Sequence, residues 1–114
     1  RKRNEIISQR SNITFNQVDS VSLTFVKDKT YDFIWIDGDH TNPLVTIDLI
    51  NCLRLLNNGG LIVCDDVRLE NSAVYETIQH LFSSNIVNYN LIHKRTQKPP
   101  VALIGKYIAV LSIK

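Results

Sequence analysis

Acidic side chains follow two apolar runs of the sequence at the point where each run ends. The run at residues 31–36 leads into Asp-Gly-Asp-His, and the run at residues 61–64 leads into Asp-Asp. The acids are Asp37, Asp39, Asp65 and Asp66. If they converge, their mutual repulsion favours a bound cation, and carboxylate and water oxygens suit Mg²⁺ or Ca²⁺. The pattern therefore predicts a divalent-metal site. The alternative is that these acids cap turns or face solvent.

Histidine is the other residue type that could do chemistry here. His40 lies three residues after Asp37, and it could serve as a general base because the imidazole pKa lies near neutrality. The alternative for His40 is a polar residue ahead of a helix. His80 and His93 have no acidic or cysteine neighbours in the sequence, so we expect structural roles for both.

Two apolar strands joined by one amphipathic helix should position the acids. Residues 31–36 (YDFIWI) form an apolar run broken only by Asp32, which predicts a central strand buried on both faces of a parallel sheet. Asn42 is a candidate N-cap and Pro43 the first helical residue. The expected buried stripe of the helix is Val45, Leu49, Cys52, Leu53 and Leu56, and the expected polar side is Thr46, Asn51, Arg54 and Asn58. The segment Asn-Asn-Gly-Gly at residues 57–60 should end the helix, and residues 61–64 form the second buried strand.

A strand, a helix and a strand of these lengths predict a βαβ unit with parallel strands and a right-handed crossover. Both strands then end at the same edge of the sheet, about 4.8 Å apart if they are neighbours. Open α/β sheets bind their ligands at that edge. The two acidic segments should therefore meet.

The flanking sequence predicts further elements of the same α/β fold. Residues 12–18 suggest a short strand, and Asn71 or Ser72 can cap a helix that ends at Ser83. Residues 87–93 and 107–113 suggest two more strands, and the Pro-Pro segment at 99–100 predicts an exposed loop between them. We expect one domain over residues 1–114.

Composition excludes several classes of protein. The 114 residues have a formal net charge of +2, too low to indicate a nucleic-acid-binding surface. No run approaches the ~20 apolar residues of a membrane span, and no signal-peptide core is visible. Cys52 and Cys64 lack CxxC spacing and lie in apolar runs, so both are expected to be buried thiols in a reducing compartment. We therefore expect a cytoplasmic protein that contacts neither nucleic acid nor membrane.

The segments YDFIWIDGDH and LLNNGGLIVCDDV, with the helix between them, resemble the C-terminal half of class I S-adenosylmethionine-dependent methyltransferases. The similarity is greatest to the small-molecule O-methyltransferases of the catechol, caffeoyl-CoA and macrocin types. It implies a Rossmann-like, mostly parallel sheet with flanking helices and a C-terminal antiparallel strand pair. The implied family strand order is 3-2-1-4-5-7-6, with strand 7 antiparallel.

The resemblance also implies roles for individual residues. Asp37, Asp65 and Asp66 match the metal ligands of the metal-dependent members, with Mg²⁺ as the expected ion. His40 stands where the catechol type has its catalytic lysine, whereas the macrocin type points to Asp39 as the base; we favour His40 narrowly. The cofactor side of the site would include Asp19, Ser20 and Asp37. Val18 departs from the glycine that often precedes the acid at the position of Asp19.

The glycine-rich loop and the ribose-binding acid of family strands 1 and 2 have no counterpart in the sequence. We therefore expect a partial methyltransferase domain that is inactive alone, and a homodimer formed through an exposed sheet edge. The expected substrate of the parent enzyme is a small molecule with an oxygen acceptor. The alternative is a non-catalytic, self-associating α/β domain derived from a methyltransferase. A third reading, a nucleotide-binding enzyme that uses Asp37 and Asp65 on Mg²⁺, lacks a GxxxxGK[ST] loop.

Overall fold

The four strands of the described chain form one mixed sheet, with two helices against it. A computed structural model describes residues 30–37, 41–70, 72–93 and 106–114, together with residues 12, 13, 17 and 22. The elements are β1 (Tyr31–Ile36), α1 (Leu44–Leu55), β2 (Leu56–Val67), α2 (Ala73–Ser83), β3 (Val87–His93) and β4 (Tyr107–Ile113). Most of the strand expected at residues 12–18 lies outside the described residues, as does the loop at 99–100.

The strand order is β1-β2-β4-β3. β1 and β2 are parallel, and β4 runs antiparallel to both of its neighbours. This is the order expected for family strands 4, 5, 7 and 6, so the predicted βαβ unit and the C-terminal antiparallel pair are confirmed. β1 is the outermost of the described strands on its side of the sheet.

Helix α1 buries the predicted apolar stripe but begins differently from the prediction. Its cap position is Pro43, and no side chain accepts a capping hydrogen bond. The Oδ1 atom of Asn42 instead accepts a hydrogen bond from the hydroxyl of Thr46 at 2.6 Å, so the predicted Asn42 cap is wrong. Asn51, expected on the polar side, is only 4% exposed. The buried side of α1 is therefore wider than predicted and includes the polar residue Asn51.

The Asn-Asn-Gly-Gly segment does not end α1 but begins β2. Leu56 is already extended, and the strand starts there rather than at Leu61. Tyr31 pairs with Leu56 and Phe33 pairs with Leu61, so β2 carries extra residues between these two pairs. Gly59 takes a positive φ of 82° within this irregular stretch, a conformation that glycine adopts without steric cost.

Helix α2 begins and ends where the sequence predicts. The hydroxyl of Ser72 accepts a hydrogen bond from the backbone N–H of Tyr75 at 3.2 Å, and the helix ends at Ser83. Val74 and Ile78 are buried and join residues of α1 and of the sheet in one hydrophobic core. Both helices therefore cover the same face of the sheet. No helix in the described residues is long and apolar enough to cross a membrane.

The prediction that β1 is buried on both faces is wrong. Phe33 is 57% exposed and Trp35 is 51% exposed, whereas Ile34 and Ile36 pack against the core. Successive side chains of a strand point to opposite faces, and both described helices lie on the face of Ile34 and Ile36. An apolar run shows that a strand can be buried on both sides, but it does not show which side is covered.

Candidate metal centre

The carboxylates of Asp37, Asp65 and Asp66 converge at the carboxyl edge of the sheet. Asp37 directly follows β1, and the other two acids lie near the end of β2. One oxygen atom from each carboxylate lies within 4.8 Å of the other two. All three side chains are at least partly exposed to solvent, so an ion can reach them. The structure thus brings together the three residues that the sequence singled out as metal ligands.

Asp65 and Asp66 are consecutive, and a regular strand would point them to opposite faces of the sheet. A bulge in β2 removes this constraint. Cys64 pairs with Ala109 and Val67 pairs with Tyr107, so β2 has one more residue than β4 between these pairs. Asp66 has a positive φ of 54°, which Asp tolerates better than most residues. Bulges of this kind redirect side chains beside functional sites.

The bulge also keeps the core in register. Its extra residue lets Val67, three positions after Cys64, return to the covered face, where both residues are at most 2% exposed. The backbone N–H of Asp66 donates a hydrogen bond to Oδ1 of Asp65 at 2.9 Å. Sequence reasoning found the acids but missed the bulge, because Asp-Asp at a strand end is equally compatible with a straight strand.

Electrostatics favours a cation at this position. Two unit charges about 4.8 Å apart repel by on the order of 1 kcal/mol in water and about 3 kcal/mol at an effective dielectric constant of ~20. Oxygens bound to Ca²⁺ at about 2.3–2.6 Å can lie ~5 Å apart, whereas Mg²⁺ at about 2.0–2.1 Å limits the span to ~4.2 Å. The spacing of the three carboxylates is therefore on the scale that one divalent ion requires.

The structure does not describe the remaining predicted site residues. Asp39 and His40, the two candidate bases, lie outside the described residues, as do Asp19 and Ser20 on the expected cofactor side. These four assignments stay predictions.

The other two histidines are not members of the three-carboxylate group. His80 is an exposed residue of α2 and lines a groove of about 250 Å³ between the two helices. The ring of His93 lies 5.1 Å from that of Tyr107, centroid to centroid.

Both cysteines are buried and free, as expected. Burial raises the pKa of the Cys52 thiol from 9.0 to about 11, and the charge of Asp48 adds to the shift. Burial likewise raises the pKa of Cys64 to about 12, with a smaller contribution from Cys52. Nucleophilic chemistry requires the thiolate, so neither side chain is a nucleophile near neutral pH.

Comparison with known proteins agrees with this architecture. A family model described as a methyltransferase domain matches residues 1–67, more than half of the 114-residue chain. A search of curated proteins found no match. Among solved structures, a candidate O-methyltransferase from Klebsiella pneumoniae superposes with a TM-score of 0.64 at 16% identity, and the match covers 94% of this chain and 51% of that one.

Two further structures share the fold. A candidate rRNA methylase from Clostridium thermocellum gives a TM-score of 0.63 at 13% identity, covering 99% of this chain and 67% of that one. An O-methyltransferase from Bacillus cereus, solved in complex with SAH, gives 0.51 at 20% identity, covering 83% and 46%. The chain thus spans about half to two thirds of the length of these proteins.

Proposed function

Since the chain belongs to the methyltransferase domain family, we propose that it forms part of an S-adenosylmethionine-dependent O-methyltransferase that uses a divalent metal. The observation that carries this proposal is the convergence of Asp37, Asp65 and Asp66 within 4.8 Å. Their position at the carboxyl edge of the sheet is where open α/β folds bind ligands. The Bacillus cereus structure, named as a complex with SAH, supports the choice of cofactor.

Asp37, Asp65 and Asp66 would hold the ion beside the substrate. The chemistry that Mg²⁺ would supply there is that of a Lewis acid, which lowers the pKa of a substrate hydroxyl. Asp65 and Asp66 lie at a bulge closed by their own hydrogen bond, and Asp37 approaches them from the neighbouring strand. Asp65 and Asp66 lie on β2 and Asp37 directly follows the paired strand β1, and positions on such elements are held more firmly than positions on loops.

The proton of the acceptor hydroxyl needs a base. His40 follows Asp37 by three residues and is our first choice, with Asp39 as the second. The two are distinguishable by pH, because a histidine base loses activity as it protonates near pH 6.5, whereas an Asp base remains charged to about pH 4. Asp19 and Ser20, together with Asp37, are our candidates for contacts to the cofactor.

The acceptor is proposed to be a small molecule. Two of the similar structures are named as O-methyltransferases, and one is named as a candidate rRNA methylase. A nucleic-acid acceptor calls for a basic surface to bind phosphates, and the formal net charge of +2 is low for that purpose. We therefore prefer a hydroxyl-bearing small molecule.

Metal binding is the first test. Mn²⁺, a paramagnetic substitute for Mg²⁺, is titrated into the 114-residue chain and followed by electron paramagnetic resonance. We expect saturable binding that Mg²⁺ displaces, and at least tenfold weaker binding in Asp65→Asn. Glu70→Gln, which removes an exposed acid outside the cluster, is the matched control. Equal binding by wild type and Asp65→Asn would rule out this metal centre.

Methyl transfer is the second test, performed on the protein as it occurs in the cell. Transfer from labelled S-adenosylmethionine to small diols is measured with and without a chelator. The proposal expects a loss of activity with the chelator and in Asp65→Asn, with recovery on addition of Mg²⁺ to the wild type alone. Full activity of Asp65→Asn in the presence of chelator would favour the non-catalytic role of the acids.

A further inference from the structure

The start of β2 contains the segment Asn58–Gly59, and Asn58 is the only asparagine of the chain that glycine follows. The backbone nitrogen after an asparagine can attack the side-chain amide carbon of that asparagine, because closure of a succinimide ring joins two atoms that are already near each other. Glycine hinders this attack least, since it has no Cβ atom. Gly59 also has a conformational role, because its φ is positive at 82°. The surroundings of the segment decide whether it reacts as well.

Both residues of the Asn58–Gly59 segment are exposed to solvent. A Cβ atom placed on Gly59 would meet no atom within 4 Å, whereas one placed on Gly60 would lie 2.8 Å from the backbone oxygen of Asp32. The chain is thus closely packed at Gly60 but open at Gly59. Ring closure at Gly59 has room to occur, and the water that opens the ring can reach it.

The pairing of β2 with its neighbours does not include this segment. Between two register pairs, β2 contains residues 57–60 where β1 contains only Asp32. The register pairs of β2 with β4 begin at Ile62. Asn58 and Gly59 therefore have no register partner on either described neighbour. Attack on the amide requires rotation of the backbone, which a regular ladder on both sides would oppose, and the irregular start of β2 lacks that restraint.

The other described asparagines lack this combination, because each is followed by a residue with a Cβ atom. The amide of Asn57 also donates a hydrogen bond to Oδ1 of Asp32 at 2.9 Å, whereas no hydrogen bond within the described residues holds the amide of Asn58. Asn42 precedes Pro43, whose nitrogen carries no hydrogen and cannot close the ring. Asn58 is therefore the described asparagine at which exposure, open space and the following residue all favour the reaction.

We propose that Asn58 is a site of spontaneous deamidation. The nitrogen of Gly59 bonds to Cγ of Asn58, the bond from Cγ to the amide nitrogen breaks, and ammonia leaves with the proton that Gly59 gives up. Water then adds to one of the two ring carbonyls and opens the succinimide. Opening at Cγ gives aspartate, and opening at the original peptide carbonyl gives isoaspartate. The net change consumes one water and releases one ammonia, and it needs no enzyme, metal or oxidant.

Either product changes the start of β2. A negative charge is added, so the formal net charge of the chain falls from +2 to +1. The new carboxylate lies one residue from Asn57, whose amide contacts the carboxylate of Asp32. Isoaspartate also adds one carbon atom to the main chain between α1 and the regularly paired part of β2. The modified fraction of the protein therefore increases with its age and differs from the fresh protein in charge and in local backbone geometry.

The test follows the mass of one peptide. Trypsin cuts after Arg54 and Arg68 and releases residues 55–68, in which Asn57 and Asn58 are the asparagines. The folded 114-residue chain and a synthetic peptide of residues 55–68 are aged side by side at mildly alkaline pH, and the gain of about 1 Da per event is followed by mass spectrometry. The proposal expects the folded chain to react at a rate within tenfold of that of the peptide. A larger retardation would overturn it, because the fold would then protect the segment.

Variants locate the reaction. Asn58→Gln should abolish the mass gain in residues 55–68, because glutamine must close a larger ring; a gain that persists in this variant would assign the reaction to Asn57 and overturn the proposal. Asn57→Gln keeps an amide and is the matched control, which should retain at least half of the wild-type rate.

Gly59→Ala should slow the reaction at least tenfold, because the added Cβ atom hinders the attacking nitrogen. Its lower stability cannot produce this result, since partial unfolding would speed the reaction rather than slow it. An unchanged rate in Gly59→Ala would overturn the proposal. These measurements use neither a metal nor S-adenosylmethionine, so this proposal and the proposed function can fail independently.

Discussion

The backbone N–H of Asp66 donates a hydrogen bond to the carboxylate of its immediate predecessor, Asp65, at 2.9 Å. This local contact belongs to a bulge in which Asp66 has a positive φ of 54°. Two adjacent side chains that would diverge on a straight strand therefore both approach Asp37. The metal centre depends on backbone conformation as much as on residue type.

A first prediction compares two replacements of Asp66. Asp66→Gly should be more stable than Asp66→Ala by about 1 kcal/mol, because the left-handed conformation costs a residue with a Cβ atom that much more than it costs glycine. Urea denaturation of both variants measures the difference. Both should lose Mn²⁺ binding equally, since each lacks the same carboxylate. A more stable alanine variant would contradict the positive φ.

A second prediction concerns the sign of the charge effect at Asp37. With a chelator present, Asp37→Asn should be more stable than wild type by no more than about 1 kcal/mol, because one of three neighbouring charges is removed and water screens the exposed Asp37. With Mg²⁺ at 100 times its dissociation constant, the wild type should gain about 2.7 kcal/mol that the variant lacks. Thermal unfolding under both conditions measures this crossover. A variant that is less stable under both conditions would argue for a structural role of Asp37.

A third prediction concerns the two glycines at the start of β2. A Cβ atom on Gly60 would lie 2.7 Å from Cδ1 of Leu56 and 2.8 Å from the carbonyl oxygen of Asp32. Because the carbonyl belongs to the backbone and cannot rotate away, Gly60→Ala should cost about 1 to 3 kcal/mol of unfolding free energy. Gly59→Ala meets no atom within 4 Å and should cost only ~1 kcal/mol for its positive φ. Chemical denaturation ranks the two.

A fourth prediction concerns pH. The pKa values of Cys52 and Cys64 rise from 9.0 to about 11 and about 12 in the folded chain. The unfolded thiols ionise first as pH rises, so this stabilisation is complete below about pH 9 and is lost as pH rises through the folded values. Each thiol contributes a slope of at most about 1.4 kcal/mol per pH unit. Urea denaturation between pH 8 and 10.5 should show a shallower slope in the Cys52→Ala and Cys64→Ala double variant than in wild type.

A fifth prediction tests the cap of α2. Ser72→Ala removes the acceptor of the Tyr75 N–H and should lower the unfolding free energy by ~1 kcal/mol. Ser83→Ala, at the exposed last residue of the same helix, should change it by no more than ~0.5 kcal/mol. Equal losses in both variants would mean that the Ser72 contact does not hold the helix terminus.

The spacing of apolar residues, and the residues that cap or end helices and strands, predicted most of the fold. A cap at Asn71 or Ser72 predicted the start of α2, and residues 87–93 and 107–113 were predicted as strands, because these signals are local. Which face of β1 is buried could not be predicted, because it depends on the side of the sheet against which the helices pack. The start of β2 was missed for a related reason. Asn-Asn-Gly-Gly permits positive φ at a helix end and in an irregular strand alike, and its pairing with β1 decides between them.

The same limit applies to the metal centre. The types and positions of Asp37, Asp65 and Asp66 were sufficient to predict that they meet, because the carboxyl ends of parallel neighbours share an edge. The convergence of two consecutive carboxylates on one point could not be explained from the sequence, because it depends on the register between β2 and β4. That register joins residues at least 40 positions apart, which no local pattern encodes.

The position of β4 between β2 and β3 has a consequence for synthesis of the chain. β4 follows the other three described strands in sequence but lies inside the sheet. Until a ribosome has released residues 107–113, β2 lacks its partner on that side and β3 has no described strand to pair with. A nascent chain would thus present unpaired strand edges, the kind of surface that chaperones protect from aggregation. Completion of this sheet is expected to be a late event, timed by translation.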